Sequence, residues 1–128
     1  MKVFFVVHRE ENVSVFTSQV LEYIEEIENR EGVEDVELIL FANPTSCFKS
    51  LYKRIKVYVD NLKVYRAFPV LTKFQLDVAS KKIEKYMLKS VYGENLVICR
   101  GDFSAYIIAK ALKDNKRFFT IYDNRGLS

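Results

Sequence analysis

The chain has 128 residues and a mass of 15.0 kDa, enough for one domain, and its 49% apolar content can fill a core without disulfides or metal. A net charge of +3 with a pI near 8.8 is too mild to argue for nucleic acid by itself. No apolar run approaches the roughly 20 residues that cross a bilayer, and MKVFFVVHREEN is too short and too quickly charged for a secretory signal, so a soluble cytoplasmic protein is expected. Cys47 and Cys99 lie far apart, and Cys99 sits in an apolar run, which fits a buried free thiol in a reducing compartment better than a disulfide or a metal pair.

Lys2 to Val7 is a continuous Val- and Phe-rich run, the pattern of a strand buried on both faces. From Ser14 onward, Val20, Leu21, Ile24 and Ile27 recur at helical spacing while Glu22, Glu25, Glu26 and Glu28 take the other face, and Gly32 offers a stop. Glu37 to Ala42 is a second buried strand, ended by Asn43, Pro44 and Thr45. Phe48, Leu51, Tyr52, Ile55, Val59 and Leu62 predict a helix over 47–62, with β-branched Val57 and Val59 against it, and Val64 to Phe68 reads as a short strand. Thr72 and Gln75 form a capping box opening a helix through about Val91, with Leu76, Ala79, Ile83, Tyr86 and Met87 inward and Gly93 as terminator. Strand Leu96 to Cys99, a helix from Asp102 or Phe103 to Leu112 with Asp102 as N-cap, and strand Phe118 to Tyr122 follow. The strict alternation predicts a single doubly wound α/β domain: a mainly parallel sheet of about five strands with helices on both faces.

In such a sheet, ligands bind beyond the carboxyl ends of the strands. A dinucleotide site needs a glycine-rich turn after the first strand, where this chain has His8, Arg9, Glu10 and Glu11, and no P-loop pattern exists anywhere, so no cofactor is expected. Glu10 and Glu11 resemble the acidic pair of a phospho-receiver, but the third strand runs into Pro69 without the carboxylate that chemistry requires. His8, the single histidine, is placed to act as a general base, or else is a partly exposed loop residue. Arg9 is an anion contact or a solvated charge. Arg100, Asp123 and Arg125 end neighbouring predicted strands and can clamp carboxylate or phosphate oxygens; the alternative is an internal Asp123–Arg100 salt bridge that fixes the loop.

Three segments together resemble the N-terminal half of GT-B glycosyltransferases, particularly the branch of bacterial cell-surface polysaccharide enzymes. Val15 to Tyr23 reads VFTSQVLEY where that branch has V-F-x-S-Q-V-L-x-Y, VICRGDFSAYIIAKALK matches a strand ending in Arg before a small-residue helix, and Asp123 to Gly126 reads DNRG for D-x-R-G. Two departures stand out: no histidine precedes Arg100, and the first loop lacks a glycine-rich turn. The resemblance implies a Rossmann-like acceptor-side domain of an enzyme that moves a sugar from a nucleotide-sugar donor to a glycan or lipid-linked acceptor. It implies His8 and Asp123 as catalytic residues and Arg9, Gln19, Arg100, Arg125 and Gly126 as substrate-binding ones. The donor in such enzymes is held by a C-terminal domain, and a chain that stops at Ser128, on the tip of a strand, is expected to be part of a longer protein and inactive alone.

A reading from a different class rests on 49–66, where Lys49, Lys53, Arg54, Lys56, Lys63 and Arg66 face a single acid, Asp60, among Phe48, Tyr52, Tyr58 and Tyr65. A helix of this kind can lie on anionic headgroups through Lys49, Lys53, Arg54 and Lys56, making the chain a stand-alone module on a membrane surface or protein partner. The alternative is an ordinary solvated face. Nucleic acid is not an expected partner, because no binding module accompanies the patch.

Overall fold

A computed structural model describes residues 1–8, 17–42, 46–59, 61–66, 72–113 and 115–123. The two apolar runs form the strands β1 (Lys2–His8) and β2 (Asp35–Ala42), and β3 (Asn61–Arg66), β4 (Asn95–Arg100) and β5 (Phe118–Asp123) complete the sheet. Its order is β3-β2-β1-β4-β5, with every neighbouring pair parallel. The chain steps outward from β1 to β3 and then returns to the far side of β1, so the winding direction switches between β1 and β4. This is the expected doubly wound, Rossmann-like α/β architecture.

Alternation along the strands divides the core in two. Val3, Phe5 and Val7 join Val20, Ile24, Leu38, Ile55 and Ile98 on a first face, covered by α1 (Glu22–Glu28) and α2 (Ser46–Tyr58). Phe4 and Val6 join Ile39, Ile83, Val97 and Ile107 on the second, covered by α3 (Lys73–Met87) and α4 (Asp102–Ala111). Strands buried on both sides need no polar alternation, which is why β1 and β2 read as continuous apolar runs. At β5, Phe119, Ile121 and Tyr122 stay exposed.

The helices follow the sequence, with corrections at their ends. α1 buries Ile24 and Ile27 and exposes its glutamates, but its entry is a π-helical turn, Thr17–Leu21. Gly32 acts after the helix has ended, taking φ 89 inside the turn that Val33 N–H closes on the Arg30 carbonyl. α2 ends at Tyr58 and β3 starts at Asn61, earlier than predicted, because Leu62 suits both a helical and an alternating pattern and pairing with β2 satisfies the backbone.

α3 opens on the predicted capping box, with Gln75 N–H donating to Thr72 Oγ1 and Thr72 N–H to Gln75 Oε1, both at 3.3 Å. It stops at Met87 rather than near Val91 or at Gly93. Ser90 Oγ donates to Asn95 Oδ1 at 2.7 Å and accepts from Tyr92 N–H, so local side-chain bonds replace the helical ladder there. The last correction concerns α4: its N-cap is Gly101, at φ 86, and Asp102 is the first helical residue.

Candidate functional site at the carboxyl edge

The carboxyl ends of β1, β4 and β5 carry most of the described candidates. Parallel register places Val7 opposite Arg100 and Arg100 opposite Asp123, so the last two share the first face at adjacent strand ends. Arg100 is 4% exposed. Its Nη2 donates to Oε1 of Gln19, which reaches down from the π-helical turn 81 residues earlier in the chain. Gly101 N–H donates to the Asp123 carbonyl at 3.0 Å, tying the two strand ends beyond their last pair.

The guanidinium is therefore a held group rather than a free arm. Burial and the contact with Gln19 fix its plane, which orders a two-point donor before any ligand arrives. Asp123 is half-buried beside it.

His8 ends β1 on the second face. Its ring lies 5.6 Å from that of Phe41 and 5.5 Å from that of Phe103, between the β2 end and the first turn of α4. It is thus on the opposite side of the sheet from Asp123 and two strand spacings away, about 10 Å. The structure does not bring His8 and Asp123 together as a proton-transfer pair. Arg9, Arg125 and Gly126 lie outside the described residues.

α4 is positioned over this edge by a polar clamp to α3. Asp77 accepts from Tyr106 Oη at 2.9 Å and pairs with Lys110 Nζ at 2.7 Å; the Lys110 and Tyr106 hydrogen bonds hold its carboxyl below the usual range. Deeper in, Ser80 Oγ donates to the Ile107 carbonyl at 3.0 Å. Below the rim on the second face, burial pushes the Cys99 thiol up to about 12, so it is no nucleophile at neutral pH. Among the described residues, no three His, Cys, Asp or Glu side chains converge as metal ligands would.

The sequence did not single out Gly101, Phe103 or Ser104. The signal for the first was available: a glycine between a strand and a helix, next to a candidate site, marks a backbone position that needs positive φ.

The basic residues of α2 are elsewhere. Lys49, Lys53, Arg54 and Lys56 are all exposed, on a helix that buries Ile55, and Val57 projects among them at 80% exposure. Lys56 Nζ sits 6.0 Å from the ring centre of Tyr52. None of the described helices is long and apolar enough to cross a membrane. Set against family models, curated proteins and solved structures, the chain matches none of them.

Proposed function

We propose that this chain is the acceptor-side domain of a GT-B-type glycosyltransferase, which moves a sugar from a nucleotide-sugar donor to a glycan or lipid-linked acceptor. One observation carries the reading. The three sequence segments behind the resemblance lie far apart in the chain, yet Gln19 of the first contacts Arg100 of the second, and Arg100 stands in register with Asp123, where the third begins. They meet on the crevice side of the switch point, the place where this architecture binds ligands.

In this reading Arg100 presents a fixed guanidinium to an oxygen-rich group of the acceptor, and Asp123 accepts from a sugar hydroxyl or orients Arg100. His8, across the sheet, acts separately, as a general base or as a hydrogen-bond partner packed on Phe103. The donor is held by a second α/β domain.

The test is a comparison of two products. The reading frame containing this chain is expected to continue for about 200 residues with a second α/β pattern. Its full product should release nucleoside diphosphate from a nucleotide-sugar in the presence of acceptor, and residues 1–128 alone should release none. Turnover by the isolated chain, or a stop codon directly after Ser128, counts against the proposal.

The exposed basic face of α2, with Val57 at its centre, favours a second role compatible with the first: contact with an anionic membrane surface. Each basic residue near such a surface contributes about 1 kcal/mol and is screened by salt. Binding to phosphatidylserine vesicles at low salt is therefore expected to fall at least tenfold when Lys53, Arg54 and Lys56 are changed to Glu. Unchanged sedimentation with the vesicles would remove this role.

A further inference from the structure

Ser104 is fully buried, at 0% exposure, and its Oγ has no hydrogen-bond partner among the described residues. A buried hydroxyl left unpaired is costly, and in a native fold it marks a place where a water, an ion or a ligand belongs. Ser104 lies in the stripe Ser104, Ile107, Ile108 and Ala111 with which α4 packs on the sheet. Helical Cα–Cβ bonds lean toward the helix N-terminus, so the Ser104 Cβ leans toward the first turn of a helix that packs over β1 and β4.

That first turn is short of acceptors. Its N-cap is Gly101, which has no side chain to cap with, and the first intrahelical bond runs from Ala105 N–H to the Gly101 carbonyl at 3.1 Å. The N–H groups of Asp102, Phe103 and Ser104 therefore have no acceptor within the helix. Among the described residues, a Cβ built on Gly101 would meet nothing within 4 Å, so none of them crowds the cap position. α4 has ten residues, enough for its dipole to favour an anion at this end. Arg100, one residue before the cap, turns its side chain to the other face of the sheet and takes no part here, and the exposed Asp102 carboxylate is the acidic group of the first turn.

We infer that the N-terminus of α4 is a binding site for a phosphate-type oxyanion, with the Ser104 hydroxyl and the Asp102, Phe103 and Ser104 amides as donors. Tetrahedral oxyanions suit this set because they accept from several directions at once. The site stands on α4 alone and holds whether or not the protein transfers sugars; within the transferase reading it adds a phosphorylated acceptor.

The experiment is an amide NMR titration of the whole chain with inorganic phosphate, at constant ionic strength set with chloride. Saturable shifts are expected to centre on Asp102, Phe103 and Ser104. Ser104→Ala should weaken the apparent Kd by about tenfold, the loss of one hydrogen bond to a charged group. Asp102→Asn should tighten it severalfold by removing the nearby carboxylate. Both substitutions are small enough to leave the fold intact, which the unperturbed spectrum checks. Methyl phosphate run in parallel separates the sources: tighter binding than phosphate identifies an ester-borne group, equal binding a free ion. Shifts confined to Lys49, Lys53, Arg54 and Lys56, or an unchanged Kd in Ser104→Ala, would overturn the site.

Discussion

Replacing Glu37 with Ala is expected to cost about 3 kcal/mol of folding stability, read from urea denaturation at pH 7. Glu37 is 5% exposed, and one carboxylate oxygen accepts from Lys2 Nζ at 2.9 Å while the other accepts from Tyr86 Oη. Lys2 also stands 3.5 Å from Asp35 and 4.7 Å from the ring centre of Phe4, and Lys63 lies over the rings of Tyr65 and Tyr86. Removing the carboxylate strands an ammonium and a phenol that α3 and the sheet hold face to face. A cavity of about 140 Å³ beside Lys2, Phe4 and Tyr86 lets some water reach them, which keeps the loss at the lower end for a broken buried pair. Glu37→Gln, which keeps the shape and one acceptor, should cost only about 1 kcal/mol.

The same cluster sets an alkaline limit. Burial alone would lower the Lys2 ammonium, but its hydrogen bond to Glu37 and the Glu37 and Asp35 charges outweigh burial and hold it above its usual 10.5. Burial, followed by the hydrogen bond to Glu37 and its charge, raises the Tyr86 phenol above its usual 10.0. Both groups bind their protons more tightly folded than unfolded. The stability this gives is complete below the unfolded values and is lost as pH rises through the folded ones. Stability should therefore fall from about pH 10 upward, with a shallower fall in Glu37→Ala. Equal alkaline slopes in the two proteins would show that the cluster does not control this limit.

Arg100→Met should cost about 2 kcal/mol in the chain itself, through the lost bond to Gln19 and an imperfect fill of the buried space. Hydrogen exchange at the Thr17–Leu21 turn should speed up with it, since the guanidinium is what ties that turn to β4. Arg100→Lys should not restore protection, because an ammonium lacks the planar fork. In an active full-frame product, the proposed acceptor role predicts a loss of about 100-fold in kcat/KM, more than the destabilisation accounts for. A drop that merely follows the unfolded fraction would assign Arg100 a structural role alone.

Much of the fold was legible because burial on both faces leaves a clear mark. Val3 to Val7 and Leu38 to Phe41 could hardly be anything but central strands, and Thr72 with Gln75 announced the start of α3. The errors fall where two local patterns compete. Leu62 fits the helical spacing from Ile55 and Val59 as well as the alternation of β3, and only pairing with β2 decides. The end of α3 depends on Ser90 meeting Asn95, a bond that no propensity announces.

At the candidate site, strand order was enough to bring Arg100 beside Asp123, but not to bury Arg100, because its cover comes from Gln19 at a separation of 81 residues. Side alternation put His8 on the far face, a result that needs the register of β1 against β2 and β4. Ser104 reads in sequence as one more small residue in an apolar stripe. Its lack of a partner exists only in three dimensions.

The sheet is a wall between two separately filled rooms. Among the described residues, the buried side chains under α1 and α2 form one cluster and those under α3 and α4 another, so a change of volume in one compartment reaches the other mainly through the strand backbones. The turn that covers Arg100 and the helix end that carries Ser104 belong to different compartments, and each can be reshaped without retuning its neighbour.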